Sequence, residues 1–586
     1  MTAQLRELER AGVFSSLDVE LARALCRLAN EPAPELALAV ALASREVQSG
    51  HVCADLGRLA ARPCSDESGD GAARFPDLAP WVELLTRSSL VSTTGLDDPA
   101  RPLVLDGQQR LYLARYYDHE QRIAEQLRAL AAPATSTPPP VDVALVERLF
   151  PSTPGKLDRQ REAALAARAR RLSIVVGGPG TGKTSTVVKL LALLVSDALA
   201  AGAPPPRTLL VAPTGKAAQR LTESIEKARE RLPVDDVVKS AIATSASTLH
   251  RALGPLDGSL TRFRHGIARP LECDLVLLDE ASMVDLALMR RFFDAVPDHA
   301  RVILLGDPDQ LASVEAGGVL YDLCRAAELE GSPLAHTVSR LTESYRYPED
   351  SGIAALARAV HRQSVDDALS VLRESRQDVS LQPALRPREL GRALEREAKE
   401  HYKGLRDGAL DTRLATLDRY RVLCAHRSGP ASVEQLNPLL SRALGTQRGT
   451  SYAGRPIIIT QNDYATQLFN GDVGVIHSVL PERSRKRELV ACFRAGESTR
   501  AVSLARLPSH DSAYAMTVHK SQGSEFDRVA IVLPERPSRI LSRELLYTAI
   551  TRAKLGVSLY ANEVSLRAAI GQRVERSSGL IDRLTR

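Results

Sequence analysis

The stretch VVGGPGTGKTSTVVKLL, Val175–Leu191, carries the motif GxxxxGK[ST] between an apolar run and a helical pattern. A strand, a glycine-rich loop and a helix in that order form a cradle whose backbone N–H groups surround phosphates. We expect Lys183 to neutralise the β- and γ-phosphate oxygens of ATP and the Thr184 hydroxyl to hold Mg²⁺. The predicted nucleotide-binding residues of this loop are Gly177, Gly178, Pro179, Gly180, Thr181, Gly182, Lys183, Thr184 and Ser185.

Polar residues follow two further apolar runs. LVLLDEAS places Asp279 and Glu280 at the carboxyl end of a predicted strand, where open parallel sheets hold their ligands. Asp279 is predicted to join the Mg²⁺ shell, and Glu280 to act as the general base that polarises the attacking water. ILLGDPDQL supplies Gln310, an amide able to hydrogen-bond a γ-phosphate. An acidic pair at a strand end is often only a solvated turn, so this prediction depends on the phosphate loop upstream.

Short β-branched or leucine-rich runs alternate with loops and helical stretches after residue 141. The runs are LSIVVG, RTLLVAP, CDLVLLDE, ARVILLGD, YRVLCAH, DRVAIVLP and LGVSLYA. This alternation predicts an α/β fold with parallel sheets covered by helices, and a long interruption at 441–512 favours two α/β units. Within the interruption, GRPIIITQNDY and NGDVGVIHSVL alternate and turn like a small inserted β-barrel.

The charge of the chain is unevenly distributed. The 586 residues carry a net charge of +6, but residues 1–140 have a net charge of −5 and no lysine, so the later part carries +11. A polyanionic partner is therefore expected in that later part. The first 130 residues show helical spacing of Leu, Ala and Val, and AAPATSTPPP, Ala131–Pro140, has the composition of a stiff exposed linker. Such a linker would let these first residues sit apart from the rest of the chain.

Signals for export or membrane insertion are missing from the sequence. The amino terminus has no apolar signal core, and no apolar run approaches the about 20 residues of a membrane span. Seven scattered cysteines without a CxxC pair indicate reduced thiols. These features favour a cytoplasmic protein with no membrane partner.

Six separated motifs carry a resemblance to a known family. The phosphate loop, DEAS, GDPDQL, ESYR (Glu343–Arg346), VHKSQGSEF and YTAITRAK occur in the order and rough spacing of the superfamily 1 DNA helicases, in the form of the branch that moves 5′ to 3′. APTGKAAQRL, STLHRALG, QLFNGDVG and the N-terminal LALAVALASREVQSGHVCADL resemble the RecD family, the helicase subunits of exonuclease V (RecBCD).

The resemblance implies roles for residues that spacing alone does not assign. It implies two RecA-like lobes with ATP between them, Arg346 and Arg552 as arginine fingers, and Gln160 as the reader of adenine. The alternative for the two arginines is that they only form structural ion pairs. The alternative for Gln160 is that it lies exposed on a helix surface. The DNA-binding residues that the resemblance implies are Thr214, Lys216, His250, Thr517 and His519.

The resemblance also implies a domain order. The expected units are a helical partner-docking domain (1–130), a linker (131–141), the first lobe (142–342), the second lobe (343–440 and 513–586) and an SH3-like β-barrel insertion (441–512). Within the first lobe, GPLDGSLTRFRHG, at 254–266, is predicted to form either a small hairpin that splits the duplex or a plain surface loop.

Three functions are compatible with these motifs. The leading hypothesis is an ATP-dependent 5′-to-3′ helicase subunit that acts on single-stranded and duplex-end DNA, joins RecB-like and RecC-like subunits in a heterotrimer, and processes double-strand ends for recombinational repair. The alternatives are a stand-alone helicase of the same branch and a regulatory ATPase subunit that does not unwind DNA. No acidic-plus-lysine nuclease cluster stands outside the motor motifs, so DNA cleavage is expected to belong to a partner.

Overall fold

The computed structural model describes most of the chain. It covers residues 2–585 apart from 65–72, 96–100, 134–139, 152–156, 257–258, 260, 349, 375, 383–386, 445–450, 464, 481–486 and 496–497. Most of the predicted linker and three residues of the predicted hairpin at 254–266 lie outside the described residues. None of the described helices combines the length and apolar character needed to span a bilayer.

The N-terminal region combines helices with a small sheet. Its helices are α1 (Thr2–Arg10), α2 (Ser16–Leu28), α3 (Pro34–Gln48), α4 (Leu56–Leu59), α5 (Leu78–Arg87) and α6 (Ala114–Ala131). Its strands are β1 (Ala54–Asp55), β2 (Val91–Ser92), β3 (Leu103–Leu105) and β4 (Arg110–Leu113), in the order β1-β4-β3-β2. The sequence predicts the helices, whereas these strands are only two to four residues long and give no alternating pattern.

The first lobe is built on a parallel sheet. Its strands are β5 (Leu172–Gly177), β6 (Thr208–Ala212), β7 (Ala246–Thr248), β8 (Leu275–Leu278), β9 (Arg301–Gly306) and β10 (Val338–Leu341), in the order β10-β5-β9-β8-β6-β7. Its helices are α7 (Val143–Leu149), α8 (Arg159–Arg168), α9 (Lys183–Ala200), α10 (Gly215–Glu230), α11 (Asp236–Ala241), α12 (Leu249–Leu253), α13 (Leu286–Ala295) and α14 (Val319–Ala327). Because all these strands are parallel, the loops after β5, β8 and β9 meet at one edge.

The rest of the chain forms a second parallel sheet and an antiparallel one. Its helices are α15 (Gly352–His361), α16 (Val365–Arg373), α17 (Pro387–His401), α18 (Lys403–Asp407), α19 (Leu410–Arg419), α20 (Val433–Ala443), α21 (Arg543–Ile550), α22 (Glu563–Gly571) and α23 (Leu580–Thr585). Its strands are β11 (Val379–Gln382), β12 (Tyr420–Cys424), β13 (Pro456–Ile459), β14 (Val473–Val479), β15 (Glu488–Ala495), β16 (Ser498–Ser503), β17 (His510–Ser512), β18 (Ala515–Thr517), β19 (Phe526–Val532) and β20 (Ala553–Tyr560).

These strands divide into two sheets. The second lobe has the parallel order β11-β20-β19-β12-β18, and residues 456–512 form the antiparallel sheet β16-β15-β14-β13-β17. All seven predicted apolar strands are present, which confirms the two α/β lobes. Among the described pairings β16 and β17 remain at opposite edges of the inserted sheet, so its closure into a barrel stays a prediction.

The N-terminal region is not held apart from the motor, contrary to the expectation from the proline-rich linker. Helix α6 packs against α13 of the first lobe, and α23 at the end of the chain packs against α6 and α14. The backbone N–H of Gly317 donates to the Gly50 carbonyl over 3.0 Å. Apolar side chains of α6, α13, α14 and α23 share one buried cluster, and this shared core explains why the linker does not separate the two regions.

Candidate nucleotide cleft and nucleic-acid residues

The phosphate loop joins β5 to α9 and follows the path its glycines predict. Gly180 and Gly182 have φ of +79° and +82°, in the left-handed region that favours glycine. A Cβ at Gly180 would collide with the side chain of Arg346, and one at Gly182 with the amide of Gln160. The Nζ atom of Lys183 donates to the Gly177 carbonyl over 2.5 Å and to the Gly178 carbonyl over 3.1 Å. The lysine thus lies against the loop it was predicted to serve.

Gln160 lies beside this loop at the start of α8. The Asp158 carboxylate caps the helix by accepting from the Gln160 backbone N–H over 2.9 Å. The side-chain amide of Gln160 donates to the Thr181 carbonyl over 3.1 Å. Gln160 and Thr181 line a pocket of about 220 Å³ together with Leu157, Thr342 and other residues. The structure therefore brings Gln160 to the phosphate loop instead of leaving it on an open helix surface.

The acidic pair Asp279 and Glu280 follows β8 at the same edge of the sheet. The Asp279 carboxylate accepts from the backbone N–H of Glu280 over 2.9 Å, and Glu280 has a φ of +52°. Burial and the neighbouring Glu280 raise the pKa of Asp279 to about 6, while the charge of Lys183 opposes that rise. Thr184 lies half-buried in the first turn of α9. The loop lysine and the acidic pair are thus close enough to interact electrostatically.

Gln310 connects the two lobes. It is buried, and its amide donates to the Asp307 carboxylate over 3.1 Å. Its side-chain oxygen accepts from Nη2 of Arg552 over 2.7 Å. Next to it, the Leu311 backbone N–H donates to the Thr548 hydroxyl over 2.9 Å. The residue predicted to report a γ-phosphate in the first lobe is therefore bonded directly to the predicted arginine finger of the second.

Arg346 lies at the phosphate loop, but its guanidinium has a protein partner. The backbone N–H of Tyr345 donates to the Gly180 carbonyl over 2.8 Å, which fixes this segment to the loop. The Arg346 guanidinium donates to the Glu525 carboxylate, and to the Thr551 carbonyl over 3.3 Å. Arg346 thus forms an ion pair, which was the alternative to its role as an arginine finger, and it does so beside the cleft.

Four further residues lie at the cleft, and the sequence patterns did not single them out. Glu525 lies within VHKSQGSEF, Tyr547 within YTAITRAK, Asp307 within GDPDQL and Arg220 within APTGKAAQRL. The carboxylate of Glu525 forms ion pairs with both Arg220 and Arg346. The Tyr547 hydroxyl would stand 2.9 Å from a Cβ at Gly178. All four were within quoted motifs, but the motif pattern does not say which member faces the cleft.

The five residues predicted to contact DNA lie in different surroundings. The Thr214 hydroxyl caps α10 by accepting from Ala217 N–H over 3.2 Å, and Thr517 similarly accepts from Lys520 N–H over 3.3 Å. Both threonines lie at or directly after the carboxyl ends of strands, β6 in one lobe and β18 in the other. Thr517 and Lys520 line a groove of about 740 Å³. Each hydroxyl thus accepts a backbone N–H group in the turn that follows a strand of its own lobe.

Lys216 and the two histidines are placed differently from the threonines. Lys216 lies 5.8 Å from the centre of the Phe526 ring and lines a pocket of about 470 Å³ between α10 and the second lobe. Burial, followed by the charge of Arg421, lowers the pKa of Lys216 to about 8. His250, on α12, lies 5.8 Å from the Phe263 ring, and burial lowers the pKa of both His250 and His519. The structure does not gather all five residues in one pocket of the described chain.

The described part of the predicted hairpin is partly formed. The Leu256 backbone N–H donates to the Arg262 carbonyl over 3.0 Å, and Pro255 and Phe263 form an isolated antiparallel β-bridge. Residues 257–258 and 260, at the turn, lie outside the described residues. The choice between a duplex-splitting hairpin and a surface loop therefore stays open.

Three family models match the chain. Residues 10–112 match the N-terminal domain of the RecBCD enzyme subunit RecD, 160–316 match an AAA domain, and 512–560 match the UvrD-like helicase C-terminal domain. A solved structure of Bacteroides Pif1 bound to single-stranded DNA is 18% identical, covers 69% of this chain and 92% of its own, and has a TM-score of 0.37.

Curated relatives extend over the whole chain. The RecBCD enzyme subunit RecD of Mycobacterium tuberculosis is 39% identical across 100% of this chain and 97% of its own length. The subunit of the same name from Mycolicibacterium smegmatis is 40% identical across 98% of each. The ATP-dependent RecD2 DNA helicase of Deinococcus radiodurans is 30% identical across 88% of this chain and 65% of its own length. The chain belongs to the RecD family of RecBCD enzyme subunits, and it is an ATP-dependent DNA helicase.

Proposed function

We propose that this chain moves 5′ to 3′ along single-stranded DNA and thereby unwinds duplex ends during the processing of double-strand breaks. The proposed mechanism depends on the hydrogen bond between Gln310 and Arg552. It links the residue suited to sense a γ-phosphate on the first lobe with a cation of the second lobe. Closing and opening of the cleft with ATP binding and hydrolysis would then move one lobe along the strand relative to the other.

The cleft residues supply the parts of a phosphoryl-transfer site. Lys183 binds the β- and γ-phosphates, Glu280 orients the attacking water, and Arg552 stabilises the charge of the transferring group. Thr184 and Asp279 offer oxygen ligands that suit Mg²⁺, which usually takes only one or two protein carboxylates besides substrate phosphates. When bound, Mg²⁺ would neutralise phosphate charge during transfer. Gln160 and its pocket would take the adenine.

The DNA contacts would be made to the sugar-phosphate backbone. Hydroxyls and helix N-termini such as those at Thr214 and Thr517 bind phosphates without reading sequence. Aromatic residues make up only 4% of the chain, which leaves few platforms for base stacking, and the net charge of +11 after residue 140 favours a polyanion. We therefore propose binding that is similar on all sequences and weakens with salt.

The direction and the unwinding activity can be tested together. Duplexes with either a 5′ or a 3′ single-stranded tail are incubated with the chain and ATP, and the displaced strand is measured. We expect displacement from the 5′-tailed duplex alone, and none with Lys183→Ala. Displacement confined to the 3′-tailed duplex would refute the proposed polarity.

We further propose that the chain joins RecB-like and RecC-like subunits through its N-terminal region. Two observations support this: the curated relatives in two mycobacterial species carry the name of RecBCD subunits, and α2 exposes Leu17 and Leu28 to 65% and 78%. The net charge of −5 without lysine also disfavours DNA as the partner of this region.

The docking proposal calls for co-expression of the full chain with both subunits, followed by affinity capture. Leu17→Ser combined with Leu28→Ser should reduce recovery of the partners. The matched control is Val564→Ser, which alters an apolar side chain of similar exposure on α22, at 64%. Full recovery with the α2 variant would mean that the subunits dock elsewhere.

The Deinococcus radiodurans relative favours a second candidate, a stand-alone helicase. The tailed-duplex assay on the chain alone separates the two functions. Rapid unwinding that added partner subunits do not change would support the stand-alone enzyme, whereas unwinding that requires them supports the subunit.

A further inference from the structure

Glu525 lies where the second lobe meets the first, and it is bonded to cations from both sides. Its Oε1 atom accepts from Nη2 of Arg220, on α10 of the first lobe, and from Nη2 of Arg346, beside the phosphate loop. The Nζ atom of Lys554 lies 3.7 Å from its other oxygen. One carboxylate therefore joins three cations at the edge of the cleft.

The neighbouring arginines explain why an anion is needed at this point. Burial lowers the pKa of Arg552, and the charges of Arg220 and Arg346 lower it further, so the three guanidinium groups repel one another. Burial alone would raise the pKa of Glu525, but Arg220 and Arg346 lower it to about 2. Glu525 is thus ionised at physiological pH and offsets this repulsion.

The position of Arg346 depends on the same carboxylate. Apart from Glu525, the Arg346 guanidinium donates to the Thr551 carbonyl over 3.3 Å and lies 6.0 Å from the Tyr347 ring. Its backbone is fixed at the phosphate loop, since the Ser344 hydroxyl donates to the Pro179 carbonyl over 3.3 Å and Tyr345 bonds Gly180. The direction of the long Arg346 side chain is therefore set mainly by its charged partner.

The first lobe reaches Glu525 through α10. Besides its ion pair, Arg220 donates from Nη1 to the Gly523 carbonyl over 3.0 Å, so it holds the segment that carries Glu525 at two points. The same helix begins directly after Thr214, whose hydroxyl caps it. A shift of α10 would consequently be transmitted through Arg220 and Glu525 to Arg346.

We propose that Glu525 is a positioning residue for ATP hydrolysis, which holds the Arg346 guanidinium at the cleft and ties it to Arg220 of the first lobe. The inference rests on the nucleotide site proposed above and deepens it. Glu525 touches neither phosphate nor water in this role. It acts by placing Arg346, for which the family resemblance implies contact with the γ-phosphate.

The test removes the charge of Glu525 and keeps the shape of its side chain. For Glu525→Gln we expect the DNA-stimulated kcat to fall about ten- to a hundredfold, the effect of losing a charged hydrogen bond in the transition state. The affinity for a fluorescent, slowly hydrolysed ATP analogue should change by less than about threefold, because ground-state binding is untouched. Glu525→Asp keeps the charge and should recover most of kcat.

Arg220→Gln provides an independent test of the same contact. Because it removes only one of the ion pairs of Glu525, it should lower kcat by no more than Glu525→Gln does, with little change in analogue affinity, and the double variant should be little worse than Glu525→Gln alone. Additive losses would show that Arg220 and Glu525 act separately and would overturn the link between them.

The matched control is Glu535→Gln, the same substitution at an exposed position shortly after β19. It should leave kcat unchanged. A Glu525→Gln variant with wild-type kcat, or one that loses only analogue affinity, overturns the positioning role. If thermal unfolding shows that Glu525→Gln does not fold, the Asp and Arg220 variants decide.

Lys183→Ala, measured in parallel, separates this inference from the function on which it rests. Hydrolysis that survives in Lys183→Ala refutes the proposed nucleotide site itself. Hydrolysis that is lost there but intact in Glu525→Gln refutes only the role of Glu525.

Discussion

Two interfaces of this chain bury charged groups, and they do so differently. On the first-lobe side of the nucleotide cleft, the half-buried charges of Lys183 and Asp279 contact the loop that carries them or an immediate neighbour, whereas Arg552 and Glu525 of the second lobe are bonded across the cleft. In the N-terminal seam, where α6 meets residues 313–322 and 576–584, charged groups are bonded across long distances in the chain. Lys183 and Asp279 therefore remain able to exchange partners with a ligand, whereas both carboxylate oxygens of Glu120 in the seam are hydrogen-bonded within the protein.

Glu120 is the centre of the seam. It is fully buried, and it accepts from the Ser578 hydroxyl over 2.8 Å, the Gly579 backbone N–H over 3.0 Å and the Arg583 guanidinium over 3.2 Å. Close by, Arg576 donates to the carbonyls of residues 313, 315 and 317, in the loop that follows Gln310. The comparison predicts that cleft substitutions change rates and seam substitutions change stability.

The largest expected effect is that of Lys183→Ala. Without the ammonium group, phosphate binding and charge neutralisation are lost, so DNA-stimulated ATP hydrolysis should fall to the level of the buffer, as measured by phosphate release. The thermal unfolding midpoint should change little, because among the described residues Nζ donates to carbonyls of its own loop, and its charge offsets only part of the rise in the pKa of Asp279. Lys227→Ala, on the exposed side of α10, is the control. Wild-type hydrolysis in Lys183→Ala would mean that the site is misassigned.

A smaller loss is expected for Arg552→Ala. An arginine finger contributes mainly to the transition state, so kcat should fall about a thousandfold with little change in ATP affinity. Arg552 is buried and also donates to the Ser524 and Thr548 carbonyls, each over 3.2 Å, so Arg552→Lys serves as a variant that keeps a charge in place. Equal losses of kcat and affinity would indicate a role in binding the ground state.

The difference between local and long-range contacts also explains what the sequence could predict. The phosphate loop, Asp279 and Gln310 follow apolar strands that are visible as local patterns, and parallel strands bring their ends together. Arg220 and Gly523 are 303 residues apart, and no local pattern pairs them. Strand β7 consists of Ala-Ser-Thr and β10 of Val-Ser-Arg-Leu, so neither gives an apolar signal. The proline-rich linker predicted a separate N-terminal region, because composition does not reveal the apolar surface shared by α6 and α13.

The seam prediction concerns stability. Glu120→Gln keeps the size of the side chain but turns an N–H group towards Gly579 and leaves Arg583 without its anion. Breaking a buried pair costs about 3 kcal/mol in the free energy of unfolding. Hydrogen exchange of α6 and α23 should increase, while kcat stays within about twofold of wild type because no cleft group is altered. Glu125→Gln, exposed on the same helix, is the control. A loss of kcat as large as that of Arg552→Ala would show that the seam and the cleft act as one unit through the loop at 313–317.

A further expectation for the seam is the pH dependence that Asp322 adds to its stability. Asp322 is buried on α14, and burial raises its pKa to about 8; the charge of Glu120 adds to the rise and that of Arg576 opposes it. Because the pKa is higher in the folded chain, the protonated form stabilises it. That stability is fully present below the pKa of the same carboxyl in the unfolded chain, near 4, and is lost as the pH rises towards about 8.

Asp322→Asn, which stays neutral, should gain in thermal unfolding midpoint relative to wild type between about pH 5 and pH 8. Asp366→Asn, whose carboxylate is 93% exposed, should show no such gain. A difference between Asp322→Asn and wild type that does not change with pH would mean that Asp322 is ionised in the folded chain, and that the seam, like the cleft, tolerates a buried charge.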